Sequence, residues 1–217
     1  MRRSSSIVLA AVVASALTIG IGAQREAHVR LFPPEDLGDL ESPDRELWQQ
    51  PDVVMDELNI AEASKVADIG AGGGWFTIRL ARRVGPNGIV YAEDIQQQMI
   101  DSITRRVERE GLKNVRPILG TADDPRLPRG LQAVLIVDTY PALRDPVNFL
   151  RKIAASLAPK GLVGIVDWKK NGAGGPGPPL PERLDPDVIL RDARQAGLTL
   201  VGEKTFLRYQ YFLIFGK

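Results

Sequence analysis

From Lys65 onward, short continuous apolar runs alternate with longer stretches whose apolar positions recur every three or four residues. The runs "KVADI", "GIVYAED", "NVRPIL", "QAVLIVD" and "LVGIVDW" predict five strands. The fourth is apolar throughout, as a strand covered on both faces requires. Between them, "WFTIRLARRVG" predicts a helix closed by Gly85, and "QQQMIDSITRRVEREG" predicts another, with Met99, Ile103 and Val107 on one face and Gly111 as its stop. "DPVNFLRKIAASLAPKG" carries its own punctuation: Asp145 at the N-cap, Pro146 at the first helical position, Pro159 and Gly161 ending the helix. "DPDVILRDARQAG" repeats that start and stop with Asp185, Pro186 and Gly197. Last come "LTLVGEKTF" and "YQYFLIF", with Leu207 and Arg208 between them, which predicts a tight antiparallel connection and no crossover helix.

Strands and helices alternating at this spacing predict an α/β fold, a doubly wound Rossmann-like sheet that is mostly parallel with one antiparallel strand near the C-terminus. Residues 61–217 form that domain. Residues 24–60 are polar and interrupted by prolines, and read as an N-terminal arm with short helices and Trp48 packed beneath it. "NGAGGPGPPLP", Asn171 to Pro181, can be neither helix nor strand. It follows strand five at the carboxyl edge, where open α/β sheets bind ligands. It is either a flexible connection or a lid that meets the substrate.

Residues 1–23 are different in kind. "MRRSSS" precedes the uncharged run Ile7 to Ala23, the pattern of a secretory signal peptide, and places the protein outside the cytoplasm, periplasmic or secreted. Residues 7–23 are slightly short for a span of about 20 residues, so an uncleaved membrane anchor stays open, as does a cytoplasmic protein with a mis-assigned start.

Charge narrows the chemistry little by addition and much by exclusion. Lys plus Arg (28) nearly balance Asp plus Glu (27), so no global field points to nucleic acid, and Arg105, Arg106 and Arg109 read as the wet face of a helix. Cysteine is absent and His28 is the lone histidine, which removes disulfides, a cysteine nucleophile and thiolate or imidazole metal sites. No metal is expected, and the sequence is silent on oligomeric state.

Candidate chemistry concentrates in "VADIGAGGGWFT", Val66 to Thr77. A triphosphate-binding loop needs Gly-Lys-Ser/Thr after its glycines, and no lysine follows here. A dinucleotide fingerprint needs a small third residue where helix meets strand, and counting from Gly70 puts Trp75 there. What remains is Asp68-Ile-Gly70-Ala71-Gly72-Gly-Gly74.

With that motif the chain resembles the class I S-adenosylmethionine (SAM)-dependent methyltransferases from Lys65 to Lys217. The resemblance implies that Asp68, Gly70, Ala71, Gly72 and Gly74 receive the methionine end of SAM, and that Asp94 in "VYAEDI", about 20 residues on, grips the ribose hydroxyls, with Ile95 beside it and Glu93 as the alternative acid. Where the family often has Gly-Asp-Ala after strand three, this chain has "GTADD". Adenine recognition then falls to Thr121, Ala122 or Asp123. "DTYPA" after strand four departs from the Asn/Asp-Pro-Pro-Tyr of enzymes that methylate base or glutamine amides, which leaves a small molecule as the implied acceptor and no nucleic acid. Asp138 and Tyr140 are the candidates for a catalytic base or cation-stabilising group; Tyr140 and Trp168 lie just past strands four and five, in pocket or core. An exported ligand-binding module without catalysis, or an NAD(P)-type oxidoreductase, are the other readings.

Overall fold

The computed structural model describes residues 31–170 and 175–217; the segment 1–30, with its predicted signal or anchor, and residues 171–174 lie outside the described residues. Seven strands, β1 (Lys65–Ile69), β2 (Ile89–Asp94), β3 (Val115–Leu119), β4 (Leu131–Val137), β5 (Leu157–Trp168), β6 (Thr199–Lys204) and β7 (Gln210–Gly216), form one sheet in the order β3-β2-β1-β4-β5-β7-β6. The first five are parallel. β7 runs antiparallel to both β5 and β6.

Alternation along the strands builds two cores. Val66, Ala92, Leu135 and Val137 face α3 (Trp75–Val84) and α4 (Gln97–Arg109), while Ala67, Ile69, Val134 and Ile136 face α5 (Pro146–Ser156) and α6 (Pro186–Gln195). The helix punctuation behaves as its chemistry demands. Asp145 accepts from Asn148 N–H and Asp185 from Asp187 N–H, while Gly85, Gly111 and Gly197 take positive φ past the helix ends. The arm is a 3-10 helix (Pro34–Glu41) followed by α1 (Arg45–Gln49) and α2 (Pro51–Glu57). Val54, Met55 and Leu58 bury in the first core, so α2 belongs to the domain.

Two boundaries differ from expectation. The α5 helix stops at Ser156, and β5 begins at Leu157, because Leu157 pairs with Leu131 before a register shift leads into the main ladder. Pro159, with no N–H and a ring that clashes with the preceding turn, could not have continued the helix. The β6–β7 connection is also wider than two residues: pairing runs out at Lys204 and Phe212. Leu207 drops into the first core and Phe206 sits edge-on to Phe212, so burial of these side chains takes them out of the ladder.

Candidate functional site

At the carboxyl edge of the sheet, where connections from β1 and β4 diverge to opposite faces, a hollow of about 700 Å³ opens. Its first wall is the bend after β1. Ala71 N–H donates to Glu93 O at 2.9 Å and Gly74 N–H to Ala71 O at 2.8 Å, so the bend is pinned to the tip of β2 and runs straight into α3. Gly70 has φ +64°, and a Cβ there would fall inside Thr139, so both backbone conformation and space demand glycine.

Asp94 stands where β2 ends, 8% exposed. Its Oδ2 accepts from Gly72 N–H at 3.0 Å and its Oδ1 from Gln96 N–H at 2.9 Å. One carboxylate therefore fixes the bend and the entry to α4 together, while lining the hollow. Burial raises its pKa, partly opposed by the amides of Gln96, Gly72 and Ile95. Asp68 lines the hollow too, but its Oδ2 is taken by Thr77 Oγ1–H at 2.6 Å, which ties β1 to α3. Desolvation lifts it to about 6. Ile95, Thr121 and Ala122 form the neighbouring wall. Asp123 does not join them; it pairs with Arg144 outside.

Asp138 past the tip of β4, beside the bend, and Asp167 near the tip of β5, one strand further on, line the hollow. Asp138 sits at φ +55° just past β4, and its Oδ1 accepts from Gln210 Nε2 at 2.6 Å. Gln49 Nε2 in turn donates to Gln210 Oε1 at 2.6 Å, and Arg45 Nε to Gln49 Oε1 at 3.2 Å, a buried chain running from α1 to β7. Asp167, next to the end of β5, uses Oδ1 for Trp168 N–H at 2.7 Å; its buried Oδ2 has no hydrogen-bond partner. Desolvation raises Asp138 to about 7, opposed by Arg45 and Gln210, and raises Asp167 to about 8, with the charge of Asp138 adding to it.

Tyr140 is the correction. It follows β4 but turns into the second core, 2% exposed, where its hydroxyl donates to Asp192 Oδ2 of α6 at 3.2 Å. Burial raises its pKa far above the ordinary range, and it does not line the hollow. Arg106 is a second correction: half-buried, it pairs with Glu41 and donates to Gly73 O at 3.1 Å, and so clips the arm to the glycine bend. Trp75 does pack in the core, with Arg79 and Arg45 guanidiniums 3.5 and 4.4 Å from its ring centroid, and one edge lines the hollow. Of the Gly/Pro-rich loop, Pro178 and Pro179 line the hollow, and Gly177 lies so close to the Trp168 ring that a Cβ would not fit.

Sequence reasoning missed Asp167, Arg45, Gln49 and Gln210, and that the arm it expected would line the hollow. Asp167 had a signal: "IVDW" ends β5 as "IVDT" ends β4, each placing an acid at a strand tip. The others had none, because their partners lie far away in the chain. Glu93, named only as the less favoured neighbour of Asp94, is 1% exposed, lines the hollow, has an unpartnered Oε1 and is lifted to about 8 by desolvation and by the nearby Asp94 charge.

Comparison with known proteins bears on this geometry. A family model described as a methyltransferase domain matches residues 66–161. The crystal structure of a SAM-dependent methyltransferase from Aquifex aeolicus superimposes with a TM-score of 0.80 at 27% identity, covering 85% of this chain and 98% of that one. A demethylmenaquinone methyltransferase of Geobacillus stearothermophilus is 38% identical over 69 residues, 32% of this chain and 30% of its own. A protein-L-isoaspartate O-methyltransferase of Methanothrix thermoacetophila is 33% identical over 100 residues, 42% of this chain and 48% of its own. The chain thus spans less than half the length of these two relatives.

Proposed function

Because the chain belongs to the class I SAM-dependent methyltransferases, we propose that it moves a methyl group from SAM to a small-molecule acceptor. The residues fit SAM. The bend at Gly70 presents bare backbone, Glu93 Oε1 is a buried acceptor without a partner, and acids crowd a site that would hold a sulfonium cation. The bend from Gly70 to Gly74 would hold the methionine end, Asp94 the ribose hydroxyls, and Ile95, Thr121 and Ala122 the adenine. Bound there, SAM supplies a methyl group on positively charged sulfur, activated without further chemistry by the protein.

The chain's own work is holding and screening. Asp94 keeps the bend in shape through Gly72 N–H, so the cradle is set before anything enters. Arg106 and Gln96, the latter donating to Phe32 O at 2.9 Å, hold the arm across the mouth, where Phe32 and Leu31 exclude water. The single observation that carries this reading is Asp94, fixed at a strand tip and facing the hollow. Calorimetry tests it: SAM binds the wild type, and Asp94→Asn, which keeps the size but can accept from only one of the Gly72 and Gln96 amides, loses at least about 1–3 kcal/mol of binding. Undiminished SAM affinity in that variant, or tight NADH binding without SAM, would falsify the assignment. Formation of S-adenosylhomocysteine in the presence of an acceptor separates an enzyme from a binding module on the same fold.

Export by residues 1–23 is part of the proposal, supported by the basic start and uncharged run. Mass spectrometry of the mature protein should find Gln24 first; an intact Met1 in the membrane fraction means an anchor instead, and an intact Met1 in the cytosol removes export.

A further inference from the structure

The hollow is larger than one cofactor's cradle, and its two ends differ. Among the described residues it is lined by eight Asp or Glu side chains and by one base, Arg45. Arg45 lies against the Trp75 ring with Asp138 and Asp68 as its nearby opposite charges, so its field is already spent on carboxylates. An acceptor carrying a phosphate or carboxylate would meet a field of its own sign in a water-poor space, where such repulsion is weakly screened.

At the end away from the glycine bend, Asp167 is 1% exposed and its Oδ2 has no hydrogen-bond partner. A buried acceptor atom left unmatched costs about 1–3 kcal/mol, and a ligand donor can recover that. Each acid has its Oδ1 committed, Asp167 to Trp168 N–H and Asp138 to Gln210, but of the two only Asp167 has a buried oxygen left without a partner. Beside Asp167 the walls are flat and apolar: the Trp168 indole, backed by Trp48 with ring centroids 5.4 Å apart, and the rings of Pro178 and Pro179.

We propose that this end is the acceptor subsite, and that it takes an uncharged, ring-sized molecule whose O–H or N–H hydrogen is donated to Asp167 Oδ2, excluding phosphorylated acceptors. The inference rests on the methyltransferase reading and deepens it. With Asp138 at about 7 and Asp167 at about 8, the two neighbours resist carrying two negative charges. Because Oδ1 already accepts from Trp168 N–H, a proton held by Asp167 sits on Oδ2, so Oδ2 is an acceptor once the pH exceeds about 8, and the affinities below are read at about pH 9. Asp167 is then a residue that touches substrate, and the Gly/Pro-rich loop sets the shape of what fits.

Three probes of related shape test this on the full chain: p-cresol, 4-methylanisole, which lacks the donor, and 4-methylphenyl phosphate. Ligand-observed NMR titration gives their affinities, and calorimetry gives S-adenosylhomocysteine affinity in the same preparations. p-Cresol should bind about tenfold more tightly than 4-methylanisole, and the phosphate ester should not register. Asp167→Ala should erase the difference between the first two while leaving S-adenosylhomocysteine affinity unchanged. Asp167→Asn, which keeps the volume if the smaller residue compromises folding, should also lose the preference for p-cresol, because its oxygen stays on Trp168 N–H and an NH2 donor then takes the place of Oδ2. Equal affinity for p-cresol and 4-methylanisole, binding of the phosphate ester, or silence from all three overturns the subsite. Intact S-adenosylhomocysteine binding alongside any of these leaves the methyltransferase reading standing; its loss from the wild type strikes that reading itself.

Discussion

Gln210, at the start of β7, donates from Nε2 to Asp138 Oδ1 at 2.6 Å across 72 positions of chain. The antiparallel strand thereby reaches over the carboxyl edge of the parallel sheet and holds an acid in place beside the hollow. Gln49 on α1 joins the same chain of hydrogen bonds, so the N-terminal helices and the last strand share responsibility for one carboxylate. The consequences of crowding acids here can be measured.

Asp68, Asp138, Glu93 and Asp167 are raised to about 6, 7, 8 and 8, chiefly by desolvation. Between the unfolded carboxylate range and about pH 8 the folded chain keeps protons that the unfolded chain has released. Stability without ligand should therefore fall as pH rises through that window. Thermal melts near pH 5 and near pH 8 check the direction, and Asp167→Asn, with no proton to lose, should flatten the slope. A slope of the opposite sign removes the assignment of raised values.

The same acids predict a pH-dependent preference among ligands. As they ionise, the hollow attracts positive charge more strongly, so SAM affinity should rise from about pH 6 to about pH 8. S-adenosylhomocysteine lacks the sulfonium and should rise less. Calorimetry of both ligands at the two pH values gives the ratio directly, and a constant ratio would mean the sulfur lies away from the carboxylates.

Gly70→Ala meets two obstacles, a positive φ of 64° and the Thr139 side chain. The backbone conformation alone costs about 1–3 kcal/mol for a residue with a Cβ. Denaturant unfolding should show that loss, and SAM affinity should drop by at least about tenfold because the bend is the cradle. Adding Thr139→Ala should recover only some of the steric part, because the Cβ of residue 139, 2.9 Å from the new methyl group, remains.

Gly120 and Glu93 give a cleaner coupling. A Cβ at position 120 would overlap Glu93 Oε1, while the backbone there does not have the positive φ that only glycine tolerates easily. Gly120→Ala should destabilise by about 1–3 kcal/mol through overpacking. In the double variant with Glu93→Ala most of that penalty should vanish, a non-additivity that unfolding of all four proteins would reveal.

Arg106 joins the arm to the body through Glu41 and Gly73 O. The pair is open to water on its Glu41 side, and such pairs contribute about 0–1 kcal/mol, so Arg106→Ala should change the melting temperature little. Hydrogen exchange across residues 34–41 should nonetheless speed up, and SAM should dissociate faster once the mouth is less well covered. An unchanged exchange pattern would show that the Gln96–Phe32 hydrogen bond and the packing of the arm hold it without Arg106.

Local chemistry was legible because it acts over a few residues. Apolar periodicity, the Asp-Pro helix starts and the glycine stops depend only on near neighbours, and they gave seven strands, four of the helices and the sheet's sense of winding. The glycine bend and Asp94 were legible for the same reason, since a strand, a bend and a helix are consecutive in the chain. Where a strand began at Leu157, and where Leu207 left the ladder, depended on long-range pairing and burial that no local pattern records.

The site divides along that line. Sequence alone determined that a bare bend and an acid would meet at the carboxyl edge, because parallel strands bring consecutive loops to one side. Tertiary structure decided which side chains face inward there. Side chains at and just beyond a strand tip can point to either face, so Tyr140, in the turn after β4, went to the core and Asp167, last but one in β5, came to the hollow. Arg45 of α1 lines it, while Gln49 of α1 and Gln210 of β7 hold Asp138, segments far apart in the chain brought together by packing rather than by any pattern around them.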